Sequence, residues 1–233
     1  MTVEETVAVI DAIRKVVETL LWPGVLLFVV LRYAPAVGPA LGKVLEGMTS
    51  GTLKAGAVEI SITRQQTEAA AALTAAAVAP RDGVETGAEP VQSARNAAQV
   101  VRDTVTPSVV QRAERATVLW VDDHPKNNVN ERRALEALGV TFVLADSTDE
   151  ALKLTKQREF DVIISDMNRG LADRTAGLDL LVKLRDGGDR TPYIIYAGGS
   201  AERSREEALA KGAIGCTNQA GELFSMVLGA IAA

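Results

Sequence analysis

One cysteine and one histidine are all that 233 residues offer toward a Cys/His metal site. The lone Cys216 excludes a disulfide scaffold, and one Cys with one His excludes a Cys/His zinc site. Aromatic residues are sparse at 4%, while hydrophobic residues reach 47%, much of it alanine. Positive charge is not in excess either. The chain has 25 Lys+Arg against 30 Asp+Glu, a formal charge of −5, so nucleic acid is not an expected partner. A reducing, cytoplasmic compartment fits this cysteine usage.

Long apolar runs are nearly absent, with one exception. Thr19–Leu31 is uncharged, bounded by Glu18 and Arg32. Extended to Val16–Ala34 it comes close to the roughly 20 residues a membrane helix needs, with Trp22 and Tyr33 suited to the interfaces. Pro23 and Gly24 would kink or begin the span. A packed or self-associating helix and a signal peptide compete with the membrane reading. The acid-rich lead-in, with Glu4, Glu5, Asp11 and Glu18 against Arg14 and Lys15, disfavours the signal peptide. Arg32, Lys43 and Lys54 after the run place its C-terminal side in the cytoplasm, at the inner membrane.

The expected layout follows composition. Residues 1–36 hold an amphipathic helix and the transmembrane candidate. Residues 37–79 hold an irregular segment, a short strand around Val58, Ile60 and Ile62, and an alanine-rich helix. Residues 80–115 read as a linker and a short helix, and 116–233 as an α/β domain. The N-terminal half carries 11 basic and 12 acidic residues, so no separate DNA-binding output domain is expected there. Output would then pass through partners or through a homo-oligomer built on the N-terminal region.

From residue 116 five apolar runs recur: TVLWV, VTFVL, DVIIS, PYIIY and AIGCT, separated by amphipathic stretches. Near-continuous apolar strands alternating with helices predict a parallel sheet covered on both faces. The first run leads directly into Asp122-Asp123, and the third ends at Ser165-Asp166. Sites in open α/β sheets form at the carboxyl ends of strands where the strand order reverses. With the order 2-1-3-4-5, three carboxylates would converge, and a hard cation such as Mg²⁺ would offset their mutual repulsion.

VLWVDD, FDVIISDM and the fivefold βα spacing resemble the receiver domain of bacterial response regulators over about Ala116 to Ala233. The resemblance implies a flavodoxin-like (βα)5 doubly wound sheet behind a mainly helical N-terminal region. It implies Asp122 and Asp123 as the Mg²⁺ pair and Asp166 as the phosphoacceptor and third ligand. The main-chain carbonyl of Asn168 would complete the metal set, and a histidine kinase would be the phosphoryl source. Such a protein is a phosphoacceptor rather than a multiple-turnover enzyme.

Other positions depart from that pattern. Ala197 stands where a Ser or Thr is usual, Gln219-Ala220 where Lys-Pro is usual, and Cys216 where an aromatic is usual. Ser200 or Thr217 would have to supply a missing hydroxyl. The loop after Asp166 is longer than usual and carries Arg169 and Arg174, read as solvated; His124 is read as a loop residue. Three functions are therefore weighed: a phosphorylated signalling receiver, a pseudo-receiver that binds proteins without phosphoryl transfer, and a TIR-like nucleotide-hydrolysing effector. The last lacks a glutamate at a strand end.

Overall fold

The computed structural model describes residues 52–79, 90–170, 174–198 and 201–233. Two compact units divide the chain, Met1–Glu59 and Ile60–Ala233, and the second holds the sheet. Residues 1–36, with the candidate membrane segment, lie outside the described residues. Among the described residues, no helix is long and apolar enough to cross a membrane.

The five apolar runs form β1 (Thr117–Val121), β2 (Thr141–Ala145), β3 (Val162–Asp166), β4 (Tyr193–Tyr196) and β5 (Gly215–Thr217). They make one parallel sheet in the order β2-β1-β3-β4-β5. Helix α4 (Val129–Glu136) joins β1 to β2 after a 3-10 turn at Pro125–Asn128. Helices α5 (Thr148–Gln157), α6 (Ala176–Asp186) and α7 (Ala201–Ala210) make the remaining crossovers, and α8 (Ala220–Ala232) follows β5.

Side-chain alternation along each strand sorts the core into two layers. Val118, Trp120, Val162, Ile164, Ile194 and Tyr196 belong to one cluster, while Leu119, Val121, Ile163, Tyr193 and Ile195 belong to the other. Both faces of β1, β3, β4 and β5 are thus buried, which is why those strands read as continuous apolar runs, while the edge strand β2 is partly exposed. Local signals fix the ends of several helices. Ser147 caps α5 by accepting the Glu150 amide at 3.3 Å, and Asp149 and Glu150 lie in its first turn, where negative charge suits the helix dipole.

Among the described residues, three further helices precede the sheet: α1 (Thr52–Val78), α2 (Pro90–Thr104) and α3 (Pro107–Ala113). Pro90 and Pro107 begin α2 and α3, where a missing amide hydrogen is harmless. The strand expected around Val58–Ile62 is not formed; those residues lie within α1. An isolated strand has no ladder partner, whereas the helix-favouring alanine run from Ala69 extends backward through them without interruption. The segment read as a linker and a short helix also contributes to the core. Ala97, Val101, Val105 and Val110 cluster with Leu73 of α1 and with Leu223, Phe224, Val227 and Leu228 of α8.

Candidate functional site

Sheet register brings the acids together. Val121 of β1 pairs with Ser165 of β3, so Asp122 and Asp166 are the next residues along adjacent strands. They lie at the strands' carboxyl ends. There β1 is flanked by β2 on one side and β3 on the other, which is the point where the strand order reverses.

Asp122 is buried, with 5% of its surface exposed. The His124 amide donates to its Oδ1 at 2.6 Å, and the buried Asn128 side chain donates through Nδ2 to its Oδ2. Burial raises the pKa of Asp122, the His124 amide opposes that rise, and the Asp123 charge adds to it. Asp123 behaves differently. Burial pushes it upward too, but the Gly170 amide, donating to Oδ2 at 2.8 Å, and His124 together hold it below the ordinary carboxylate value. His124 Nδ1 lies 3.1 Å from Asp123 Oδ1.

Asp166 has a pKa pushed up to about 7, first by burial and then by the negative charge of Asp122. Hydrogen bonds from the Asn168 and Met167 amides pull the other way, and Asp123 adds to the rise. The negative charges of Asp122 and Asp123 both reach Asp166. Gly177 packs against the Asp166 backbone. A Cβ there would sit 2.6 Å from the Asp166 carbonyl oxygen, so the close approach of α6 to this strand end requires glycine.

Among the described residues, Asp122, Asp123 and His124 form the group whose potential ligand atoms all lie within 4.8 Å of one another. Asp166 stands outside that tight group although it feels its charge. His124, read from sequence as a loop residue, is therefore a member of the cluster; its adjacency to the acid pair was the available signal. The carboxylate oxygens of Asp122 and Asp123 are of the kind that suits a hard divalent cation.

The remaining strand ends supply little chemistry. Ala197 is buried and bonds through its amide to the Thr217 carbonyl at 2.9 Å. Gln219 is exposed at the N-cap of α8, its amide donating to Thr217 Oγ1 at 3.0 Å. The Thr217 hydroxyl itself donates to Glu222 Oε2 at 2.6 Å, so it is already engaged away from the acids. Ser200 lies outside the described residues. Cys216 is buried, and burial pushes its thiol up to about 11, the condition of an inert packing residue.

Two features escaped the sequence reading. Arg169 is not solvated but buried, 7% exposed, because Ser165, Thr148 and the Ala176 carbonyl all accept from its guanidinium. Arg174 is exposed, as expected. A second buried pair joins β4 to α4, where the Tyr196 hydroxyl donates to Glu131 Oε1 at 3.0 Å.

A model of the response regulator receiver domain family matches residues 118–219. This part of the chain is a receiver domain. Its flanks are not covered by that match. The chain is 34% identical over 122 residues to the virulence sensor protein BvgS of Bordetella pertussis, an alignment that takes in 50% of this chain and 9% of that protein. It is 28% identical over 123 residues to the sensor protein EvgS of Escherichia coli, covering 53% of this chain and 10% of that one. The chain thus spans about a tenth or less of these sensor proteins. Among solved structures, it is 26% identical to the receiver domain of Francisella response regulator 1452, with a TM-score of 0.43, covering 50% of this chain and 96% of that one. Chemotaxis response regulator CheY4 of Vibrio cholerae is also 26% identical, with a TM-score of 0.42, covering 50% of this chain and 98% of that one.

Proposed function

We propose that the receiver domain accepts a phosphoryl group on Asp166 in a phosphorelay, with a divalent cation, Mg²⁺, held by Asp122, Asp123 and Asp166. The carrying observation is the register of β1 and β3, which ends adjacent strands in Asp122 and Asp166. Burial and the charge of Asp122 raise the Asp166 carboxyl to about 7, and positive charge entering the site would favour its anionic, nucleophilic form. Asp122 and Asp123, whose charges act on Asp166, would hold the cation with it, and the Asn168 main-chain carbonyl is the fourth ligand in this reading. A bound cation would offset the charge of the acids and of the phosphoryl oxygens.

In the reaction, one carboxylate oxygen of Asp166 attacks phosphorus in line with the bond to the donor. An O–P bond forms while the P–N bond of a phosphohistidine breaks, and the electron pair leaves with the imidazole nitrogen. Asp122, fixed by His124 and Asn128, and Asp123, fixed by Gly170, keep the charge distribution of the pocket in place before the donor arrives. The likeness to sensor proteins supports a histidine kinase or phosphotransfer domain as the partner, and a cytoplasmic receiver. Tethering to a membrane or to an oligomer through the N-terminal region belongs to the same proposal.

A pseudo-receiver is the competing reading, favoured by the buried methyl of Ala197 and the exposed Gln219, which supply neither hydroxyl nor cation to the pocket. Titration with Mg²⁺ and then beryllofluoride, following Trp120 fluorescence with Trp22 replaced by Phe, separates the two. Saturable changes that vanish in Asp166→Asn support phosphoryl acceptance. An unresponsive Trp120, which is buried two residues before Asp122, favours the pseudo-receiver.

A further inference from the structure

We infer that Arg169 is a positioning residue for the acidic site, tying down the loop after β3 so that the Gly170 amide meets Asp123. The inference rests on the acid cluster being the reacting site, as proposed above. The guanidinium reaches three separate elements. Nη1 donates to Ser165 Oγ on β3 at 2.7 Å, and Nη2 donates to Thr148 Oγ1 at the start of α5 at 2.8 Å. Nη2 also donates to the Ala176 carbonyl at the start of α6 at 2.6 Å. The planar fork makes this possible, since one rigid group presents donors in several fixed directions.

The neighbouring bonds interlock with these. Ser165 accepts from Arg169 and donates its own hydrogen to the Asp166 carbonyl at 2.9 Å. The Gly177 amide donates to the Met167 carbonyl at 3.0 Å, closing the far end of the loop. Immediately after Arg169, Gly170 takes φ +71, a left-handed turn, and its amide donates to Asp123 Oδ2 at 2.8 Å. A buried arginine in the middle of this stretch therefore sets where the next amide points. That amide holds one Asp123 oxygen in place, so Arg169 acts on the acid site through the backbone without touching it.

Amide hydrogen exchange of the full chain, with Mg²⁺ titration alongside, tests this. In Arg169→Gln the Gly170 amide is expected to exchange about tenfold faster or more, as loss of a local closing interaction requires. The sheet amides of Val118–Val121 should keep wild-type protection. Arg169→Lys should not restore Gly170, because an ammonium lacks the fork. Mg²⁺ affinity should fall about tenfold in both, the scale of loss when the hydrogen-bond support of a metal ligand is removed. Thr148→Val, which removes one of the three acceptors, should shift Gly170 in the same direction by less, and it decides the matter if the Arg169 variants do not fold. Wild-type protection of Gly170 in these variants, or equal acceleration of every amide, overturns the inference. If the wild-type chain binds no Mg²⁺, the proposed function falls while Gly170 exchange still decides the role of Arg169.

Discussion

Gly177 lies against the Asp166 carbonyl so closely that a single added methyl would come within 2.6 Å of that oxygen. The contact sets how near the N-terminus of α6 comes to the acid-bearing end of β3. Gly177→Ala must move one or the other, and both are backbone. The expected cost is about 1–3 kcal/mol, read as a lower midpoint in urea unfolding with an unchanged slope. Mg²⁺ affinity should fall as well, because Asp166 moves with its carbonyl.

The raised pKa of Asp166 gives the metal-free protein a signed pH dependence. An unfolded Asp titrates near 3.9, and the folded one near 7. Between those values the folded state binds more protons, so this group's contribution to stability is greatest in acid and declines as pH rises from about 4 to about 7. Melting temperatures measured across that window without metal should show the decline in the wild type and lose it in Asp166→Asn. Mg²⁺ should recover stability most at the upper end, where the carboxylate is ionised.

Asn128 donates to Asp122 from a buried position on the 3-10 turn. Removing the amide in Asn128→Ala leaves one Asp122 oxygen without that donor while its charge stays buried. Mg²⁺ binding is expected to weaken by about 10–100-fold, measured by titration of Trp120 fluorescence. Asn127→Ala, next to it, serves as the control and should change the affinity little.

Helices α1–α3 form part of the core that covers α8. A chain beginning at residue 116 would expose Leu223, Phe224, Val227 and Leu228, all buried in the whole protein. Compared with a chain beginning at residue 60, it should unfold at lower urea and bind a hydrophobic dye more strongly. Leu73→Ala in the longer chain is expected to cost about 2–5 kcal/mol.

The sheet was legible in the sequence because burial on both faces leaves a mark that needs no tertiary knowledge: continuous runs such as TVLWV and DVIIS. The acids were legible because they end two of those runs. The core role of residues 90–113 was harder to see. Residues 93–105 read as a short helix, but its small buried residues Ala97 and Val101 sit among polar neighbours and do not report what the helix packs against. Arg169 was misread for a similar reason. A cation in a long polar loop looks solvated until Ser165, Thr148 and Ala176, from three different elements, are seen to surround it. The helical fate of Val58–Ile62 turned on the absence of a strand partner, which alternation within a short window does not report.

The most direct test is intact-mass measurement of the full chain after incubation with Mg²⁺ and a phosphorylated histidine phosphotransfer domain, with peptide mapping of the modified residue. The account predicts the addition of one phosphoryl group, located on Asp166, lost in Asp166→Asn and prevented by chelating the metal. No added mass in the wild-type chain, or added mass that persists in Asp166→Asn, would contradict it.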